Sequence, residues 1–152
     1  MTNGAKILGH PVHPVLIVFP LGLLATAVVF DIVGLFTSSS TWSQVAFYMI
    51  AAGVIGGLIA AFFGLVDWMA IASGTRAKRI GSRHGLLNVV VVLLFAGSWW
   101  LRLPQPERPT SLALFLSFLG ALLSVYTGWL GGELVFKHGV GVDQPTGSAD
   151  QT

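Results

Sequence analysis

Four histidines (His10, His13, His84 and His138), two acids (Asp67 and Glu133) and one amide (Asn88) stand at the edges of long apolar runs. In a chain where only 9% of 152 residues are charged, these are the side chains able to do chemistry. Imidazole is the commonest protein ligand for metals, and two histidines on facing helices are one way a helical bundle holds haem iron. Packed helices lie about 8–10 Å apart, so diagonal neighbours are roughly 13 Å apart, a gap two imidazoles and an iron can bridge. His13 and His84 are therefore a candidate axial pair for haem b, with Asn88 one turn beyond His84, on the same face and able to orient it. The wider set of His10, His13, His84, His138, Asp67 and Glu133 also suits a divalent metal such as zinc or iron. Histidines interleaved with acids can also relay protons.

What is missing narrows the chemistry. The chain has no cysteine, which excludes disulfides, thiolate metal sites, iron–sulfur clusters and covalent c-type haem. No nucleophile motif, phosphate-binding loop or H-E-x-x-H helix occurs. The chain therefore reads as an electron-transfer or binding protein rather than a stand-alone enzyme. A formal charge of +2 gives no argument for nucleic acid. Each candidate also has a plain structural reading. "HPVHP" (His10 to Pro14) can act as a helix-starting breaker, because proline is tolerated in a first turn. Asn88 can tie two helices together, and Glu133 can pair with Lys137 one turn on.

The elements that must position these groups are membrane spans. With 54% hydrophobic residues and a mean hydropathy of +0.80, the chain is too apolar for an ordinary soluble domain. Four apolar segments, about Val15 to Phe36, Val45 to Ala70, His84 to Leu103 and Leu112 to Val135, each approach the roughly 20 residues that cross a bilayer. Polar stretches at 37–44, 73–83 and 104–111 separate them as loops. Lys6, Arg76, Lys78, Arg79, Arg83 and Lys137 fall on one side of this topology, and only Arg102 and Arg108 on the other. The positive-inside rule then puts both termini in the cytoplasm, and all four histidines on that side. Trp42, Trp68, Trp99, Trp100 and Trp129 lie near span ends, as interfacial anchors do. A cleaved signal peptide ending at Ala25 to Ala27 is the competing reading of the first span, but the apolar run continues to Phe36. The expected fold is all-α, an up-down-up-down four-helix bundle integral to the membrane over residues 1–142, with a disordered cytoplasmic tail at 143–152.

Shifting the sequence by about 71 residues lays His13 on His84, Asp31 on Arg102 and Asp67 on His138, a weak two-hairpin repeat. Asp31 and Arg102 are then expected to form an ion pair near the outer surface. Glycines at 53, 57, 64, 120, 128, 131 and 132 would let helix backbones approach closely, or let a cofactor press against them.

The blocks "GHPVHPVLIVFPLGL", "GLVDW", "RHGLLN" and "GWLGGELVFKHGVGV" resemble, in order and over Leu8 to Val142, a small bacterial membrane family catalogued as domain of unknown function 2231. The resemblance implies four helices in a bacterial inner membrane and no established activity. Relatives that carry the domain beside a Rieske iron–sulfur or cytochrome c domain imply redox company. Its motif positions here are His10, His13, Asp67, His84, Asn88, Glu133 and His138. The functional expectation is a histidine site for haem b or a metal in membrane electron transfer, with a Rieske-type or cytochrome partner and a quinone as candidate associates. The alternatives are a divalent-metal binding or transport protein and a structural subunit that packs a redox partner.

Overall fold

The computed structural model describes residues 4–142, so the expectation for the tail at 143–152 lies outside the described residues. Ahead of the spans the chain makes a small hairpin that hydropathy does not announce. Strand β1 (Lys6–Ile7) pairs antiparallel with β2 (His10–Pro11), Lys6 opposite Pro11 and Ile7 opposite His10. The turn between them holds Leu8 at φ 51° and Gly9 at φ 81°. Two central residues at positive φ give a turn whose twist matches that of the strands, and glycine adopts the second position without steric cost.

Four helices follow: α1 (Val12–Thr37), α2 (Ser40–Ala70), α3 (Arg76–Arg102) and α4 (Ser111–Phe136). All four are long and apolar enough to cross a membrane. Large apolar side chains also point outward, with Val18 69%, Ile55 60% and Leu122 72% exposed. A helix apolar all round is stable only inside a core or in lipid, and these faces have no protein over them. The surface is one that hydrocarbon, not water, solvates.

The helix ends depart from the hydropathy boundaries, because a helix stops where its backbone is capped and not where its side chains turn polar. The expected loop at 37–44 shrinks to Ser38 and Ser39, with Ser38 in the left-handed region at φ 52°. The expected loop at 73–83 is helical from Arg76, since the Thr75 hydroxyl accepts the Lys78 backbone N–H and caps α3 there. Thr110 caps α4 in the same way on Ala113. Pro20 lies within α1, a position tolerated in membrane helices because neighbouring groups satisfy the freed backbone carbonyl.

Helix α1 packs chiefly on α2, and α3 on α4; α2 and α3 join the two hairpins, while α1 and α4 touch least. Leu24, Ala27, Ala46, Ile50, Val91 and Phe95 form the central core. Close approach depends on glycine in each hairpin. A Cβ on Gly53 would stand 2.6 Å from Leu24 Cδ2, and one on Gly120 would stand 2.8 Å from Phe95 Cε2.

These contacts give the true register of the repeat. Leu24 and Phe95 keep the 71-residue offset that relates α1 to α3, but Gly53 and Gly120 are 67 residues apart. Helix α2 therefore corresponds to α4 at an offset of 67, because α1 runs six residues beyond Asp31 whereas α3 stops at Arg102. The alignment of Asp67 with His138 is thereby corrected: Asp67 lies within α2 and corresponds to Leu134, while His138 lies beyond the end of α4.

Candidate functional site

His13 is in the first turn of α1, and His84 is nine residues into α3 counting Arg76 as the first. Each turns to the other helix of its own hairpin. His13 Nδ1 lies 2.8 Å from the Ala60 carbonyl on α2, and His84 Nδ1 lies 3.0 Å from the Thr127 carbonyl on α4. A carbonyl can only accept, so Nδ1 carries the proton in both rings and Nε2 is left with its lone pair. Ala60 and Thr127 are again 67 residues apart, so the two imidazoles are held in one way by equivalent backbone atoms. The two rings are within electrostatic reach of each other.

Each ring also lies over a glycine. A Cβ on Gly64 would be 2.9 Å from His13 Cε1, and one on Gly131 would be 3.0 Å from His84 Cε1. Gly64→Ala is therefore expected to push the His13 ring off the Ala60 carbonyl, at a cost of about 1–3 kcal/mol. The histidine ¹⁵N spectrum reports this directly: the Nδ1–H signature of one ring should disappear in the variant, and its persistence would show that the glycine is not what seats the imidazole.

The two halves differ in what meets Nε2. Asn88 Nδ2 lies 3.1 Å from His84 Nε2 and 2.9 Å from the His84 carbonyl, which fixes the amide with its nitrogen toward the ring. Its oxygen accepts from Thr127 Oγ1 at 3.1 Å, and Thr127 is 2% exposed. The residues at the corresponding places in the first hairpin are Ile17 and Ala60, neither of which has a polar side chain. The His84 ring is thus held at both nitrogens and the His13 ring at one.

The remaining candidates are placed apart from this pair. Asp67 Oδ1 accepts the Ala5 backbone N–H at 2.9 Å and fastens the N-terminal segment to the end of α2. Glu133 lies 3.4 Å from Arg76 and 3.9 Å from Lys137, the ion pair that the one-turn spacing suggests. His10 is exposed, with Nδ1 3.0 Å from the Leu8 carbonyl. His138 follows α4, and its Nε2 is buried without a hydrogen-bond partner among the described residues. Among the described residues, no three histidine or acidic side chains come together as a metal site. A shallow apolar groove of about 320 Å³ runs between α1 and α2, and a pocket of about 10 Å³ lies under the hairpin beside Asp67; neither is lined by His13 or His84. Sequence reasoning did not single out Thr127. Its signal is the 67-residue match to Ala60, invisible while a single offset was assumed.

At the other end of the bundle, Asp31 and Arg102 form a two-pronged ion pair, Nη1 to Oδ1 and Nη2 to Oδ2 both at 2.7 Å. Neither side chain is exposed. Ser98 Oγ accepts from Arg102 Nε at 3.2 Å and donates to the Ala113 carbonyl, and Ser117 Oγ adds contacts to both partners. Asp31 and Arg102 each come eighteen residues after the histidine of the same helix, about 27 Å along it. The diagonal α1–α3 relation therefore carries a polar layer near each end, a histidine pair and an ion pair.

Four apolar spans with polar layers buried between them define an integral membrane helical bundle. The chain matches the family model described as "Predicted membrane protein (DUF2231)" over residues 9–144 and belongs to that family. No curated protein and no solved structure matches it significantly.

Proposed function

We propose that this protein is a haem-b-binding electron-transfer subunit of a bacterial inner membrane, with His13 and His84 as the two protein ligands. The observation that carries the reading is the shared tautomer: both rings spend Nδ1–H on an equivalent carbonyl, which is how ligating histidines are usually oriented, and both keep Nε2 for a metal. Two imidazoles suffice for haem, whose iron brings its own four equatorial nitrogens. Zinc or iron held by protein alone needs three or four side chains, and among the described residues no such group is assembled. That favours haem over the divalent-metal binding or transport reading. The donor set fits the group, with one condition: the Asn88 amide has to leave His84 Nε2 as iron binds.

Bound haem would supply one-electron redox chemistry. The chain's own residues would do the rest: the Ala60 and Thr127 carbonyls orient the rings, Gly64 and Gly131 give them space, and Asn88 returns to His84 when the site is empty. With the basic side inward, both termini are cytoplasmic, and a quinone or a Rieske-type or cytochrome partner would exchange electrons from that side.

The test is the reduced-minus-oxidised visible spectrum of the purified protein from haem-replete cells, with metal content measured on the same sample. A b-type spectrum is expected in the wild type and in His10→Ala, and should be lost in His13→Ala and His84→Ala. A colourless protein overturns the haem reading. Stoichiometric zinc or iron would then support the divalent-metal alternative, and neither would leave a structural subunit that packs a redox partner.

A further inference from the structure

Arg76, Arg79 and Arg83 occupy positions i, i+3 and i+7 of α3, one narrow stripe on its first two turns, and all three are exposed. Between Asp67 and Glu107 the sequence has no acid to balance them. The one carboxylate near the stripe, Glu133, is 3.4 Å from Arg76 and is shared with Lys137 at 3.9 Å. Arg79 donates only to the Gly74 carbonyl at 3.2 Å, and Arg83 makes no hydrogen bond or ion pair. Lys78, off the stripe, is already used: its ammonium donates to the Trp68 carbonyl and lies 3.7 Å from the centre of the Trp68 ring.

Helix stability does not explain the stripe, since cations in a first turn oppose the helix dipole. Depth does. Helix α3 has 27 residues, about 40 Å, whereas the hydrocarbon core is about 30 Å thick. Measured back from Arg102, Arg83 falls at the hydrocarbon edge, and Arg79 and Arg76 fall about 6 and 10 Å further out. That is the layer of the lipid phosphates. Guanidinium groups are matched to phosphate oxygens by their paired donors.

We propose that the Arg76–Arg79–Arg83 stripe is a binding surface for the phosphate headgroups of anionic phospholipids, which supply the missing counter-charge and hold α3 at a fixed depth. The inference is independent of any cofactor at the histidine pair.

The test uses the full chain in phosphatidylcholine vesicles with a rising fraction of phosphatidylglycerol, with thermal unfolding followed by tryptophan emission. The midpoint should rise with the anionic lipid and rise less at high salt. The lipid fraction giving half the rise should increase about fivefold for each single Arg→Gln change in the stripe. The combined variant R76Q/R79Q/R83Q should not respond, while Arg108→Gln at the opposite end should respond as the wild type does. An unchanged response in the combined variant, or no response in the wild type, overturns the proposal. So does an equal rise from inorganic phosphate in pure phosphatidylcholine, which would assign the stripe to a soluble anion. If the combined variant does not fold in phosphatidylcholine, the three single variants decide, and their failure to shift the half-point overturns it equally.

Discussion

Arg102→Ala is expected to destabilise the folded bundle by about 3–5 kcal/mol, because it leaves the Asp31 carboxylate buried, charged and without its guanidinium. The pair is fully enclosed, so solvent does not screen it, and its four heavy-atom partners are held by two further hydroxyls from Ser98 and Ser117. Asp31→Ala should cost a similar amount for the converse reason, a buried cation with only serines to meet it. The double variant Asp31→Leu/Arg102→Met should be much closer to the wild type than either single change, since replacing both charges by apolar groups removes the desolvation cost together with the attraction. Thermal or denaturant unfolding in detergent micelles, read by circular dichroism, measures all three. Single variants within about 1 kcal/mol of the wild type would mean that water reaches this layer. A double variant as unstable as the singles would mean that the pair positions α1 against α3 in a way apolar packing cannot replace.

The second large effect is expected at the helix crossings. Gly120→Ala should cost about 1–3 kcal/mol by overpacking, because the new methyl would stand 2.8 Å from Phe95 Cε2 and 3.0 Å from Phe95 Cδ2, and Phe95 is 1% exposed with no space to retreat into. Gly53→Ala should behave alike in the first hairpin, where Leu24 Cδ2 and Cγ would be 2.6 and 2.7 Å away. Leucine can rotate its far end more readily than a phenylalanine ring, so the loss at Gly53 should be the smaller of the two. Gly120→Ala/Phe95→Leu should recover part of the stability by returning volume to the crossing. No recovery would show that the methyl meets the α3 backbone rather than the ring, and that the offset between the hairpins is set by main-chain contact.

The membrane, the number of spans and the grouping of histidines at one end are properties of composition and order along the chain, and the sequence alone determined them. Hydrophobic length is local: about 20 apolar residues cross the bilayer whatever they pack against. The Asp31–Arg102 pair was legible for a related reason, since two opposite charges at one depth in hydrocarbon must find each other or leave it. The Glu133–Lys137 pair was legible because one helical turn brings the two side chains together.

Convergence was not legible. His10, His138, Asp67 and Glu133 share a side of the bundle with His13 and His84, but depth along the membrane normal says nothing about the direction each side chain takes around its helix. Tertiary packing sent Asp67 to the N-terminal backbone and Glu133 to Arg76 and Lys137, leaving His13 and His84 with the carbonyls of Ala60 and Thr127. The start of α3 at Arg76 was equally hidden, because a polar helix end and a polar loop have the same hydropathy and only the Thr75 cap separates them. The two different offsets of the repeat were hidden as well: α1 and α3 are matched by side chains that sequence can display, whereas α2 and α4 are matched by which backbone carbonyl and which glycine each imidazole meets, and those are facts of packing in three dimensions.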